Sequence, residues 1–105
     1  MLDIIYKAAE QAAPEEMCGL IIEKDGNEEF INCENFAENK LNEFKIDPKT
    51  FVKYQLISKI KYVVHSHYDS KCNPSNQDKK SCRAMGVPYM IVSYPEKEMC
   101  IYDPS

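Results

Sequence analysis

Apolar side chains at Ile4, Ile5, Ala8, Ala9 and Ala12 recur at intervals of three and four, one buried stripe of a helix over residues 2 to 13. Pro14 ends that helix, because the residue before a proline is pushed out of the helical region. Met17 to Glu23 reads as a strand and Glu28 to Cys33 as its returning partner. Asp25-Gly26 between them is a hairpin signal.

Glu34 to Glu43 is polar, contains Asn35, Asn39 and Asn42, shows no hydrophobic period and reads as a loop. Phe44 to Ile46 suggests a short strand. Asp47-Pro48 has the form of a helix start, with Asp as N-cap and Pro at the first helical position. The following helix, over about 48 to 58, takes its apolar face from Phe51, Tyr54, Leu56 and Ile57. Lys61 to Ser66 is rich in β-branched and aromatic residues and predicts a central strand. A polar loop over Tyr68 to Pro74 leads to a third helix, Ser75 to Met85, closed by Gly86. Strands over Val87 to Tyr94 and Met99 to Tyr102 complete the order α-β-β-(β)-α-β-α-β-β, an α/β arrangement without internal repeats.

With 105 residues there is room for one domain, 1–105, and the balance of 44% hydrophobic and 29% charged residues is that of a folded globular chain. A net charge of -4 with scattered lysines makes nucleic acid an unexpected partner. No apolar run approaches the ~20 residues that span a bilayer. The first residues, Met1 to Ile5, have neither the basic region nor the cleavage site of a signal peptide, so a cytoplasmic location is expected, that of the host if the chain is phage-encoded. The five cysteines (Cys18, Cys33, Cys72, Cys82, Cys100) contain no C-x-x-C pair, and reduced thiols are expected.

The chemistry concentrates at His65-Ser66-His67. Residues two apart on a strand project to the same face, so both imidazoles can reach one ion, although two histidines at a strand end also occur by chance. Further on, Ser75-Asn76-Gln77-Asp78 resembles a helix capping box, yet a carboxylate in that first turn can also point toward the strand end. Two histidines and a carboxylate, with a fourth position left to water, are the ligand set of a catalytic zinc site. A proton acceptor would have to come from elsewhere. The candidate is Glu16, although Glu15-Glu16 alone reads as a solvated acidic pair.

Taken jointly, Glu16, H-S-H, seven residues and S-x-x-D match the pattern E…H-x-H-x7-S-x-x-D, and the chain from Pro14 to about Tyr102 resembles the JAMM (MPN+, JAB domain) zinc metalloproteases. The phage branch is most similar, the N-terminal domain of the lambda-like tail assembly K proteins, through P-x-E-x-C-G (Pro14 to Gly19), N-P-S-x-x-D (Asn73 to Asp78), Cys82 and V-P-Y-M-I-V-S-Y-P (Val87 to Pro95). There the domain is often followed by a cell-wall endopeptidase, so the resemblance implies a stand-alone or shortened form. Tyr68 replaces the proline that usually follows H-S-H in the family, which bears on how the loop leaves the site.

The resemblance implies a single-domain MPN/JAB (cytidine-deaminase-like) fold with a mixed sheet flanked by helices. It implies zinc held by His65, His67 and Asp78, Glu16 as acid and base, and Ser75 as a hydrogen-bond donor to the substrate oxygen. The reaction implied is hydrolysis of an amide or isopeptide bond in a protein substrate, a ubiquitin-like carrier or a phage tail protein. The alternative is a tail-tip assembly or interaction protein in which the zinc fold is mainly structural. A deaminase would need H-x-E and P-C-x-x-C, which are absent. A Cys72 nucleophile would leave Glu16, Ser75 and Asp78 without a role. Cys18 and Cys82 read as buried small hydrophobes.

Overall fold

Cys18 to Ile22 are buried without interruption, which alternating strands cannot be, so strand β1 (Cys18–Lys24) is covered on both faces. The computed structural model, which describes residues 1–105, shows how. Strand β2 (Asn27–Cys33) pairs antiparallel on one side of β1 and β3 (Lys59–Tyr68) on the other. β3 pairs parallel with β4 (Tyr89–Tyr94), which pairs antiparallel with β5 (Met99–Tyr102). The mixed five-stranded sheet has the order β2-β1-β3-β4-β5.

Three helices cover it: α1 (Leu2–Ala12), α2 (Pro48–Ile57) and α3 (Asn76–Met85). Ile5, Ala8 and Ala9 of α1 pack with Met17, Ile21, Val64, Met90 and Val92 on one face. On the other, Leu20, Ile22, Val63, Tyr89 and Ile91 pack with Cys82 of α3, and Phe51 and Tyr54 of α2 lean on the same cluster. A parallel pair needs a crossover, and α3 supplies it between β3 and β4. Gly19 marks a place where backbone and side chain close in: a Cβ there would stand 2.4 Å from the Ile31 carbonyl oxygen and 2.6 Å from the Phe30 ring. No helix is long and apolar enough to cross a membrane.

Three expectations need correction. Phe44 to Ile46 forms no strand. The Lys45 N–H that a ladder would have used donates instead to the Asn35 side chain at 3.0 Å, and Phe36 N–H donates to the Lys45 carbonyl at 2.8 Å. In α2 the expected apolar face is only half used, since Leu56 is 80% exposed and Ile57 47%. The cysteines are not all reduced: Cys72 and Cys100 form a disulfide across a sequence separation of 28, leaving Cys18, Cys33 and Cys82 free. Spacing concealed this pair because the fold creates it, the loop after β3 coming back over β5.

Candidate metal centre

β3 is the innermost strand, and its C-terminal end opens beside the start of α3, where open α/β sheets place their ligands. His65 and His67 project from that end to one face, as their spacing predicts. Between them the fully interior Ser66 faces the other way. Its hydroxyl accepts the Met17 N–H at 2.7 Å and its own N–H donates to the Met17 carbonyl at 3.0 Å. The middle residue of H-S-H therefore stitches the segment carrying Glu16 to the histidine strand.

Ser75 and Asp78 form the complete capping box of α3. The Ser75 hydroxyl accepts the Asp78 N–H at 3.0 Å, and Asp78 Oδ2 accepts the Ser75 N–H at 2.9 Å. Gly86 closes the helix in the left-handed conformation at φ 71°. Capping and site membership coexist, because the same Oδ2 lies 3.0 Å from His67 Nε2, while Oδ1 lies 3.3 Å from His65 Nε2. On the other side of the His65 ring, Nδ1 is 3.4 Å from Glu16 Oε1. The structure thus brings Glu16, His65, His67 and Asp78 together, with Ser75 at the same opening beside Glu16 and His67.

The four side chains are not equally satisfied. His67 Nδ1 faces the Lys71 carbonyl at 2.8 Å and must donate to it, which in the neutral ring leaves the Nε2 lone pair free. The hydrogen bond to Asp78 raises the His67 pKa, with burial opposing. For Asp78, burial raises the carboxyl pKa, but the His67 hydrogen bond, the His65 charge and the Ser75 N–H outweigh it and hold it at about 2. By contrast His65, with no exposed surface, has neither ring nitrogen aligned for a hydrogen bond, and Glu16 Oε1 is likewise unpaired although Glu16 is only 7% exposed. Each such atom costs about 1–3 kcal/mol if nothing meets it.

A metal ion would give His65 Nε2 a partner and leave the ring proton on Nδ1, facing Glu16 Oε1. Ligand atoms of His65, His67 and Asp78 all lie within 4.8 Å of one another, and two imidazoles with one carboxylate suit zinc. The residues present fit the group. What sequence reasoning missed lies around them: Phe44 stacks on the His65 ring with centroids 4.4 Å apart, and Asn35 binds the Glu16 carbonyl at 3.0 Å. Only the asparagine had a signal, its frequency in turns, and that says nothing about a site.

Fold and site define a class, an α/β domain whose mixed sheet presents H-x-H to a carboxylate at the start of a crossover helix. Residues 1–102 match the family described as prokaryotic homologs of the JAB domain, and the chain belongs to it. It is 30% identical over 103 residues to the tail tip assembly protein K of Escherichia phage N15, covering 98% of this chain and 42% of that protein's length. Among solved structures it resembles a JAB1/MPN domain protein from Archaeoglobus fulgidus, with 25% identity and a TM-score of 0.68 over 98% of this chain and 82% of that one. A structure described as JAMM, a metalloprotease-like zinc site in the proteasome and signalosome, matches with 25% identity and a TM-score of 0.62, covering 98% of this chain and 81% of the other. A protein from Desulfitobacterium hafniense shares the fold at 21% identity and a TM-score of 0.74, over 95% of this chain and 75% of its own.

Proposed function

We propose that this domain is a zinc-dependent peptidase or isopeptidase of the JAMM kind, with His65, His67 and Asp78 as ligands. One observation carries the reading: the buried and unpaired Glu16 Oε1 and His65 Nε2 cluster with Asp78 and with His67, behind an opening that Glu16, His67 and Ser75 line. Bound zinc supplies a Lewis acid that polarises an amide carbonyl and lowers the pKa of a water molecule.

The chain's own residues do the rest. Glu16 Oε1 faces His65 Nδ1 at 3.4 Å without forming a hydrogen bond, so it is open to accept the proton of the attacking water and later pass it to the leaving amine. Ser75 uses its hydroxyl oxygen to accept the Asp78 N–H, which leaves its hydroxyl proton free to donate to the substrate carbonyl oxygen. His65 and Asp78 are held in a packed interior and exclude bulk water from the far side of the site. The substrate class is a protein, either a ubiquitin-like carrier cut at its tail or a phage tail protein.

A second reading is favoured by the phage N15 relative, whose name says tail tip assembly: the domain would serve assembly, with the metal site stabilising it. The two are separated by incubating the protein with a tail-extended ubiquitin-like carrier and with a tail protein from the same gene cluster, with and without chelator. Cleavage that chelator stops and zinc restores supports the peptidase. Stable binding of the tail protein with neither substrate cut supports assembly.

A further inference from the structure

His67 is oriented by a hydrogen bond, but His65 has none, so something else must fix its ring. Phe44 lies flat on it, with 19° between the planes, and Tyr89 meets it edge-on at 5.5 Å and 81°. Tyr89 belongs to β4, and its hydroxyl is held by Ser81 and Met85 of α3. Phe44 belongs to no regular element and needs another anchor.

That anchor is Asn35. Its side-chain nitrogen donates to the Glu43 carbonyl at 2.9 Å and to the Glu16 carbonyl at 3.0 Å. Its oxygen accepts the N–H groups of Lys45 and Ala37, each at 3.0 Å. Two donors and two acceptor positions are all that a carboxamide has, and all are used. Two of the four bonds bracket Phe44 in sequence, and a third grips the backbone of Glu16. Glu16 is tied to the same loop a second time, its N–H donating to the Lys40 carbonyl at 2.8 Å.

We infer that residues 34–46 are the positioning element of the site, with Asn35 as the joint that sets Glu16 and, through the Phe44 ring, His65. The inference rests on the metal reading above for its purpose, but its geometry is tested without metal. Asn35 and Phe44 are positioning residues and touch no substrate. Their effect is to fix the Glu16 carboxylate against the His65 ring, 3.4 Å between Oε1 and Nδ1, while neither group is hydrogen-bonded to the other.

The test records long-range proton–nitrogen spectra of the imidazole nitrogens in metal-free protein and then titrates zinc against a competing chelator. Phe44→Leu should average the His65 ring signals and weaken zinc binding by about 10- to 100-fold, the usual cost of losing a group that orients a ligand. Phe44→Tyr keeps the ring and should restore both. Asn35→Asp removes the two donors while leaving Phe44 in the chain, and should disturb His65 in the same direction. If Phe44→Leu does not fold, Phe44→Met carries the same test. Unchanged His65 signals and zinc affinity in the ringless variants would overturn the Phe44 role, and unchanged values in Asn35→Asp would overturn the coupling. If the wild type bound no zinc, the metal reading would fail, and the His65 spectra would still decide this inference.

Discussion

Asp78 Oδ2 and His67 Nε2 stand 3.0 Å apart, on the opposite side of the ring from the nitrogen that Lys71 holds. Below its raised pKa the metal-free ring carries two protons, one on each nitrogen, and a metal at Nε2 would have to displace one of them.

Proton and metal therefore pull stability in opposite directions. The raised His67 pKa contributes stability to the metal-free protein that is full below the unfolded value of about 6.5 and is lost as pH rises through the folded value. The depressed Asp78 value contributes stability present above about 3.9 and lost as pH falls through about 2. Between pH 6 and 8 the His67 contribution should make the melting temperature of chelated protein fall, while that of zinc-saturated protein should rise as the competing proton leaves. Scans with and without chelator check this, and parallel trends would contradict the shared Asp78–His67 pair.

Protein purified without chelator should carry about one zinc per chain, and His65→Ala with His67→Ala should remove it. Elemental analysis of both proteins decides. Full occupancy in the double variant would move the site elsewhere.

The two members of the capping box should separate. Ser75→Ala loses a cap, about 1 kcal/mol of stability, and keeps zinc. Asp78→Asn loses the charge that pairs with His67 and a ligand, so zinc should go with it. Denaturant unfolding and metal analysis together distinguish them, and zinc retained in Asp78→Asn would remove that residue from the ligand set.

How much of this was legible in the sequence follows from the range of each interaction. β3 and its histidines, the Asp47-Pro48 helix start and the Ser75 to Gly86 helix are written in residues at most a few positions apart, and they form where expected. Glu16 lies 49 residues before His65 and stood out only through the joint pattern. Asn35 and Phe44 act through backbone carbonyls and ring faces that no periodicity encodes. Cys72 and Cys100 meet only because β5 pairs beyond β4. Leu56 on α2 follows a helical period, yet no layer of the domain covers it.

That disulfide offers a further check. Thiol titration of unfolded protein should find three reactive cysteines before reduction and five after. Cys100→Ser should cost about 3.6 kcal/mol, the chain-entropy value for a sequence separation of 28. Because Cys72 follows Lys71, whose carbonyl orients His67, zinc affinity should fall as well. Five thiols titrating without reductant would refute the pairing.

The most direct test of the central claim is hydrolysis by Glu16→Gln. Glutamine keeps the shape of the side chain and the backbone bonds to Asn35 and Lys40, but it cannot take a proton. Zinc content and melting temperature should stay near wild type, while the rate of cleavage of the protein substrate falls by roughly 10² to 10⁴. A zinc-loaded Glu16→Gln protein that cleaves as fast as wild type would contradict the assignment of Glu16 as the proton acceptor.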